Sequence, residues 1–302
     1  MKTEIPKMTL AVLVTLAILT PGLLNTPVFG EPNEPNQSPQ AIISSAYSAV
    51  EQMRGGKNFI PTKVYSVEED EQVLKLFEGL RLSDVVDGMD KVGLKNIGLM
   101  SPEIKPLWRD TEHFTHRIVG TAVTARYVPT NKPNNSEMDA KTFNAWYDKW
   151  YGTISAEHFV SLIRKGTIVV IEEPQGIDTG TIGSNNIMRW RTKGCVGVVT
   201  NNGARDTDQI IVEKVPLYYR QAGRGVPPGR NEIESVNRPI VCGGVLVEAG
   251  DVIFADGDGV AVVPRAKAKD VADFARATVD KDKKSRRVLY QKLGLPMDDS
   301  VK

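Results

Sequence analysis

Two adjacent residues of opposite charge, Arg205 and Asp206, are the first candidates for chemistry in this sequence. They follow the apolar run and turn "VGVVTNNGA", residues 196–204. A turn there needs Gly203, but it does not need a cation beside an anion. A guanidinium suits a carboxylate, and an aspartate oxygen suits Mg²⁺ or Mn²⁺. The pair therefore indicates an anion site beside a divalent cation, and the structural alternative is a helix cap at Asp206 with Arg205 on the surface.

The second candidate is the loop "GSNN", formed by Gly183, Ser184, Asn185 and Asn186. It precedes the helix predicted for "IMRWRTKG", so its backbone N–H groups lack partners within the helix and can hold an anion. An ordinary Ser/Asn helix cap is the alternative. The loop is not a phosphate-binding P-loop, because no Gly-Lys-Ser/Thr follows it.

The elements around these residues predict that the two candidates meet. "GTIVVIEE" (166–173) and "CVGVVTNN" (195–202) have the composition of buried strands, and the loop and helix lie between them. This order is a βαβ unit, whose parallel strands are expected to be neighbours. Ligands of open α/β sheets bind outside the carboxyl ends of the strands, so the loop and the Arg-Asp pair should share one crevice.

Periodicity and turn signals predict the remaining elements. Helices are expected at 41–56, at "SVEEDEQVLKLFEGL" with Ser66 as cap, at "LSDVVDGMDKVGL" with Ser83 as cap, at 140–163 and at 271–293. A strand is expected at 116–129, and hairpins split by "EAGD" and "ADGDG" turns at 238–265. The aromatic stripe of 140–163 is interpreted as core rather than as a cofactor site.

Other clusters of metal-binding residue types have simpler interpretations. Helix-end and surface charge explains the three aspartates of 84–90, a pair of histidines lacks a third ligand, and the "DGDG" run reads as a turn. Both cysteines are interpreted as buried thiols rather than as a disulfide. These residues are Asp84, Asp87 and Asp90, His113 and His116, Asp256–Gly259, and Cys195 with Cys242.

Charge and the N-terminal segment bear on partners and location. The chain has 302 residues and a formal net charge of +1, so no global field attracts nucleic acid. "MTLAVLVTLAIL" (8–19) after Lys2 and Lys7 is typical of a signal peptide, predicted over 1–30, followed by a disordered linker at 31–40. The expected mature protein is one domain, 41–302, exported and without a stable membrane span. An uncleaved anchor is the alternative.

Five stretches of the sequence resemble a known family. "GCVGVVTNNGARDTDQ" (194–209) is similar to the Gly-x-x-Gly-x-Val and Arg-Asp segment of the RraA-like family. Further agreement lies in "LSDVVDGMDKVGL", "RIVGTAVTARYVP", "GTIGSNN" and "VCGGVLVEAGDVIFADGDGVAVVP". The resemblance implies an α/β/β sandwich like the swivelling phosphohistidine domain, with N-terminal helices added here. It also implies a homotrimer or a pair of trimers.

The resemblance further implies an activity and roles for residues. Aldolase members cleave a 4-hydroxy-2-oxo acid, such as 4-hydroxy-4-methyl-2-oxoglutarate, to pyruvate, and they decarboxylate oxaloacetate with a divalent metal. Arg205 would then bind the substrate carboxylate and keto oxygen, and Asp206 would hold Mg²⁺ or another divalent cation. The backbone of Gly183–Asn186 would hold the pyruvyl part. Many members carry an acid after this glycine, where this chain has Ser184.

Two other functions are also compatible with the sequence. One is a non-catalytic binding protein like the ribonuclease E regulators of the same family. The other is a metal-dependent lyase that acts on a different oxo acid or a sugar acid. In the preferred interpretation the partner is a small 2-oxo acid and not a nucleic acid.

Overall fold

The structure is a computed structural model that describes residue 60 and residues 63–133, 137–298 and 301. These residues belong to one compact unit, Phe59–Lys302. The predicted signal peptide (1–30), linker (31–40) and helix at 41–56 lie outside the described residues and stay predictions. In the described part of the chain, no helix is both long enough and apolar enough to cross a membrane.

The described residues form both helices and strands along most of their length. The helices are α1 (Val67–Lys75), α2 (Leu82–Lys91), α3 (Ala140–Lys149), α4 (Ser184–Thr192), α5 (Thr207–Val212) and α6 (Ala268–Leu293). The strands are β1 (Lys105–Pro106), β2 (Ile118–Pro129), β3 (Thr167–Glu172), β4 (Cys195–Thr200), β5 (Gly203–Ala204), β6 (Leu217–Tyr219), β7 (Gln221–Ala222), β8 (Asn231–Val236), β9 (Ile240–Cys242), β10 (Val245–Val247), β11 (Val252–Asp256) and β12 (Gly259–Val263).

One mixed sheet of eight strands organises the fold. Its order is β1-β6-β4-β3-β2-β11-β12, and β8 pairs with the second half of β2. Strands β2, β3, β4 and β6 are parallel neighbours, while β11 and β12 form an antiparallel hairpin. The predicted βαβ unit is therefore confirmed, with α4 connecting two adjacent parallel strands.

Side-chain alternation along β3 divides the core into two layers. Ile168 and Val170 pack on one face with residues of the β9–β10 hairpin. Val169 and Ile171 pack on the other face with Ile187 and Trp190 of α4 and with other helical residues. Helices, sheet and hairpin thus form the predicted α/β/β arrangement. The carboxyl ends of β3 and β4 remain at the edge where α4 and α5 begin.

A third cluster joins helices α1, α2 and α6 to the β11–β12 hairpin. Helix α1 begins as predicted, since the Ser66 hydroxyl accepts from the Glu69 amide at 3.1 Å and Glu69 accepts from the Ser66 amide at 2.6 Å. The predicted Ser83 cap of α2 is wrong. Asp84 accepts instead from the Arg81 amide at 2.9 Å and pairs with the Arg81 guanidinium at 2.6 Å.

The aspartates of α2 also differ from the expectation of surface charge. Asp84 is buried, whereas Asp87 and Asp90 are exposed. Burial of Asp84 is compensated because its two oxygens bind the Arg81 guanidinium and amide. The described residues contain no group of three or more His, Cys, Asp or Glu that could hold a metal.

The segment predicted as one helix with a core-facing aromatic stripe is broken in the structure. Helix α3 passes into a π-helical turn at Trp150–Ile154 and a 3₁₀ turn at His158–Leu162. None of the residues of α3 is buried, although Trp150 and Phe159 after it are. The core interpretation is thus wrong for α3, whose rings stack on one another, with the Tyr147 and Tyr151 centroids 4.9 Å apart.

Two simpler predictions are confirmed, for the two cysteines and for the "DGDG" run. Cys195 and Cys242 are buried free thiols, and burial raises the pKa of Cys195 to about 11. Asp256–Gly259 forms the turn between β11 and β12. The imidazole of His116 is committed to structure, because its Nδ1 accepts from the Asp110 amide at 3.1 Å.

Candidate active site

The predicted loop and the predicted Arg-Asp pair lie in contact. The Asp206 carboxylate accepts from the Ser184 amide at 3.1 Å and from the Ser184 hydroxyl at 3.3 Å, both at Oδ2. Gly183 is the residue before the first turn of α4, and a Cβ atom there would lie 3.1 Å from the same oxygen. The structure therefore places both candidates in one crevice beyond the ends of β3 and β4.

Neither candidate works as an ordinary helix cap through its side chain. Asp206 precedes α5, yet its carboxylate makes no capping hydrogen bond to that helix. Gly183 precedes α4 and has no side chain to offer. The Asp206 carboxylate instead crosses the crevice to the start of α4, so the cap alternative considered for these residues does not describe their contacts.

One part of the anion-site expectation needs correction. The Ser184 amide donates to Asp206 and is therefore not free to bind an external anion. The amides of Asn185 and Asn186 follow it in the first turn of α4, where helical amides have no partner within the helix. An anion at this helix end would use those two amides and meet Ser184 only through its hydroxyl.

Arg205 reaches the crevice because its backbone is fixed by a neighbouring segment. Its amide donates to the Ile182 carbonyl at 2.8 Å, and Ala204 forms a parallel bridge with Ile182. A Cβ atom at Gly180 would lie 2.7 Å from the Arg205 Cβ, so glycine is required there for Arg205 to pass. The Arg205 Nε lies 3.3 Å from Asp206 Oδ1.

Asp206 is held charged by these contacts. Burial by itself would raise its pKa, but the hydrogen bond from the Ser184 amide and the charge of Arg205 outweigh that effect. Its pKa is therefore below the ordinary value. The residue has a left-handed backbone with φ of 57°, which Asp tolerates better than most residues.

The crevice opens into a cavity of about 520 Å³. Gly183, Asn185, Asn186, Arg205 and Asp206 line one part of it. The rest of the lining was missed by sequence reasoning and consists of Tyr147, Tyr151, Gly152, Ser155, Glu157, Gly180, Thr181 and Arg189. The signal for the two tyrosines was the i, i+4 spacing in "YDKWY", which was assigned to the core instead.

Glu157 organises the cavity wall beside α4. Its carboxylate accepts from the Asn186 side-chain amide, from the Arg189 guanidinium at 2.5 Å and from the Trp190 indole at 3.0 Å. The Asn186 side chain is thereby turned toward Glu157. Arg189 stays 59% exposed, so its guanidinium is accessible to a ligand.

A buried carboxyl group, Glu173, lies behind this wall at the end of β3. It accepts from the Thr181 hydroxyl at 2.6 Å and from the Thr200 hydroxyl at 2.7 Å. Burial raises the pKa of Glu173 to about 8, although both hydroxyl hydrogen bonds act to lower it. Because Thr181 also lines the cavity, Glu173 is one hydroxyl away from it.

The donor set fits a hard divalent cation that keeps part of its water shell. Mg²⁺ is typically bound by one or two carboxylates together with water and substrate oxygens, not by an all-protein cage. Asp206 supplies one ionised carboxylate facing the cavity, and its side chain is 37% exposed. A metal here would be completed by a chelating ligand.

Comparison with known proteins assigns the fold family. The profile of the RraA-like family, described as Aldolase/RraA, matches residues 82–262, more than half of the chain. The chain belongs to the RraA-like family. The match spans both the loop at Gly183 and the Arg205–Asp206 pair, so the candidate site lies within the RraA-like region.

Individual relatives are distant from this RraA-like chain. Protein DlpA of Legionella pneumophila is 26% identical over 230 residues, covering 72% of this chain and 32% of DlpA. The chain thus spans about a third of the length of that relative. A putative 4-hydroxy-4-methyl-2-oxoglutarate aldolase of Halalkalibacterium halodurans is 27% identical, covering 56% of this chain and 79% of that protein.

A solved structure supports the RraA-like fold. Streptomyces coelicolor RraAS2, described as an unusual member of the RNase ES inhibitor RraA family, superposes with a TM-score of 0.57 and 20% identity. The superposition covers 75% of this chain and 99% of that one. At this identity the likeness shows the fold alone. Family membership includes aldolases and regulators, so the choice between them depends on the site.

Proposed function

We propose that this chain is a divalent-metal-dependent carbon–carbon lyase. Its substrate would be a 4-hydroxy-2-oxo acid of the 4-hydroxy-4-methyl-2-oxoglutarate type, cleaved to pyruvate, and it would also decarboxylate oxaloacetate. One observation carries the proposal: Arg205 and an ionised Asp206 face a single cavity across from the start of α4. An anion site and a cation site side by side match a chelating 2-oxo acid.

The residues of the cavity divide the work of binding. Arg205 would bind the carboxylate and keto oxygen of the substrate through its planar fork of donors. The amides of Asn185 and Asn186 would hold the pyruvyl part at the positive end of α4. Asp206 would hold the cation, whose bound form supplies Lewis-acid stabilisation of the charge that develops on the 2-oxo group.

The composition of the cavity supports a metal-type lyase over an imine-forming one. Imine catalysis needs a lysine amine beside the substrate carbonyl. Among the described residues that line the cavity there is no lysine. The cationic side chains there are Arg189 and Arg205, which recognise carboxylates but do not form imines.

Arg189 would bind a carboxylate at the second end of the substrate. It lies on the α4 side of the cavity and is paired on one side with Glu157, while much of its guanidinium remains exposed. A second carboxylate, as in 4-hydroxy-4-methyl-2-oxoglutarate, would bind there. A dicarboxylate would therefore be preferred over a monocarboxylate of the same length.

Assembly and location complete the proposal. The protein would form a homotrimer or a pair of trimers, with neighbouring subunits completing the cavity. It would be exported by the predicted signal peptide and would bind no nucleic acid, consistent with a formal net charge of +1.

The direct test is pyruvate release from oxaloacetate and from 4-hydroxy-4-methyl-2-oxoglutarate. Purified protein is assayed with Mg²⁺, with EDTA, and with EDTA followed by excess Mg²⁺. We expect release in the first and third conditions only. Absence of release from both substrates, in a plate where a known aldolase is active, would overturn the proposal and favour a non-catalytic binding protein.

A second candidate is a lyase for another oxo acid or a sugar acid. Ser184, at the position where many family members carry an acid, and the wall formed by Tyr147 and Tyr151 favour this alternative. A panel of 2-oxo acids and sugar acids, assayed under the same three metal conditions, separates it from the first. Faster metal-dependent turnover of a panel member than of both reference substrates would select the second candidate.

A further inference from the structure

The carboxyl group of Glu173 is buried without a charged partner among the residues that the structure describes. The residue is 2% exposed, and no ion pair to it occurs in the described ranges 63–133 and 137–298. The ionisable side chains that face it are Tyr127 on β2 and Cys242 on β9. Burial raises the pKa of both, so neither carries charge near neutral pH.

Hydroxyl groups take the place of a counter-charge around Glu173. Thr200, at the end of β4, donates to Oε1, and Thr181 donates to Oε2. The Asn201 side-chain oxygen accepts from the Glu173 amide at 2.7 Å and fixes the backbone. Both carboxylate oxygens are thus bound to groups that can pass a proton in either direction.

Thr181 connects this buried group to the cavity. Its hydroxyl donates to Glu173 and accepts from the Asn231 side-chain amide at 3.0 Å. A hydroxyl has one hydrogen and two lone pairs, so one acceptor position remains on Thr181. Thr181 is 8% exposed and lines the cavity, so a substrate hydroxyl bound there would donate to that acceptor position.

A second polar group in the same wall points to a ligand. Ser155 lines the cavity, and its hydroxyl is buried and has no hydrogen-bond partner among the described residues. Buried polar atoms are normally satisfied, so an isolated hydroxyl at a cavity wall indicates a group that a ligand satisfies. Ser155 and Thr181 together suit a hydroxylated substrate.

We propose that Glu173, acting through Thr181, accepts the proton that leaves the 4-hydroxyl group of the substrate. The inference rests on the lyase activity proposed above. The substrate O–H proton passes to the Thr181 oxygen while the Thr181 proton passes to Glu173. The C3–C4 bond breaks as the C4 carbonyl forms, and its electron pair becomes the enolate of the 2-oxo acid. Return of the proton to C3 gives pyruvate and restores the Glu173 carboxylate.

This assignment separates two reactions of the same cavity. Cleavage of a 4-hydroxy-2-oxo acid requires loss of a hydroxyl proton, whereas decarboxylation of oxaloacetate does not. Glu173→Gln and Thr181→Val should therefore lower kcat for cleavage by roughly 10²–10⁴-fold, the usual contribution of general base catalysis. Decarboxylation, which has no hydroxyl proton to lose, should fall by a smaller factor, so the ratio of kcat for cleavage to kcat for decarboxylation should drop in both variants. Thr181→Ser, which keeps the hydroxyl, should retain cleavage.

Thr200→Val is the matched control, since Thr200 touches the other Glu173 oxygen but does not line the cavity. It should keep cleavage at high pH. In the wild type, kcat for cleavage should rise with pH to a plateau through an apparent pKa near the value of about 8 for Glu173. The hydrogen bond from Thr200 lowers the pKa of Glu173. Its loss in Thr200→Val should therefore move the rise in kcat to higher pH.

Infrared difference spectra give a readout that is independent of activity. Burial raises the pKa of Asp251 to about 6, so the window starts above that value. Between pH 7 and pH 10 the wild type should lose the carbonyl band of a protonated buried carboxyl, and Glu173→Gln should lack this change. The surface variant Glu71→Gln should keep it.

Each result has a distinct meaning. Decarboxylation by the wild type, together with unchanged cleavage in both Glu173→Gln and Thr181→Val, would overturn the relay alone. Equal loss of both reactions in every variant would assign Glu173 a structural role only. A wild type that decarboxylates but cleaves no 4-hydroxy-2-oxo acid would also reject the relay. A wild type inactive in both reactions would remove the lyase proposal and the relay with it.

Discussion

Two carboxyl groups near the same cavity have opposite surroundings. Asp206 is partly exposed, receives the Ser184 amide and lies beside Arg205, so its pKa is lowered. Glu173 is buried among hydroxyls and amides and has no counter-charge in the described part of the chain, and burial raises its pKa to about 8. Near neutral pH the first is ionised and the second largely holds a proton. The contrast shows how neighbouring strand ends can offer a charge and a proton acceptor within one cavity.

The largest effect on turnover is expected at Asp206, the ionised carboxylate. Asp206→Asn should lower metal-dependent turnover by roughly 10³-fold, corresponding to about 4 kcal/mol of transition-state stabilisation. Asparagine tolerates the left-handed backbone at this position, so the fold should be retained. Steady-state kinetics with circular dichroism would check both points. Asp208→Asn, in the first turn of α5, is the control, and equal losses in the two variants would argue against a role for Asp206.

The next largest effect is expected at Arg205, the side chain beside Asp206. Arg205→Lys keeps a positive charge but removes the planar fork, so we expect kcat/KM to fall by about 10²-fold, mainly through KM. Substrate titration of initial rates would measure it. Arg224→Lys, on an exposed side chain paired with Asp178, should remain near wild type. A normal KM in Arg205→Lys would remove the fork from substrate recognition.

Glu173, the protonated carboxyl group, should make folding stability depend on pH. Its folded pKa is about 8 against an ordinary value of 4.5, so the folded state holds a proton that the unfolded state releases between these values. This stabilisation is complete below the unfolded pKa and is lost as the pH rises through about 8. The free energy of unfolding should therefore fall by about 2 kcal/mol from pH 6 to pH 8.

Urea titrations at several pH values would measure that slope. Glu173→Gln should lack this component, while Glu71→Gln, on the exposed face of α1, should keep it. Identical pH slopes for wild type and Glu173→Gln would show that Glu173 titrates normally and would remove the contrast with Asp206.

The smallest effect is expected at the aromatic wall. Tyr151→Phe keeps the ring that packs on Tyr147 but removes a hydroxyl, so KM should rise by about threefold, the scale of one neutral hydrogen bond. The control is Tyr290→Phe on α6, a residue outside the cavity lining. An unchanged KM for every substrate tested would limit Tyr151 to packing.

The sequence predicted the sheet and the charged side of the cavity because their signals are local. Buried parallel strands appear as continuous apolar runs, and the βαβ order places Gly183 and Arg205 at one edge. Glu173 was missed because its significance depends on Thr181 and Thr200, which come together only when the sheet forms. The sequence around a glutamate at the end of a strand does not indicate whether its side chain is buried.

The aromatic wall was missed for a different reason. A stripe of tyrosine and tryptophan has the same spacing whether it faces a core or a cavity. Helix α3 buries none of its own residues, and the π-helical turn after it changes the direction of Tyr151 relative to a continuous helix. The Ser83 cap failed in a similar way, since Asp84 competes for the same N-terminal position and also pairs with Arg81.

The left-handed backbone of Asp206 links function to evolutionary constraint. A non-glycine residue at φ of 57° is less stable than glycine by roughly 1 kcal/mol, so glycine here would make folding easier. The hydrogen bonds from the Ser184 amide and hydroxyl to the carboxylate offset part of this difference. The presence of the carboxylate beside Arg205 makes position 206 a site of stability–activity trade-off, where stabilising substitutions are expected to remove activity.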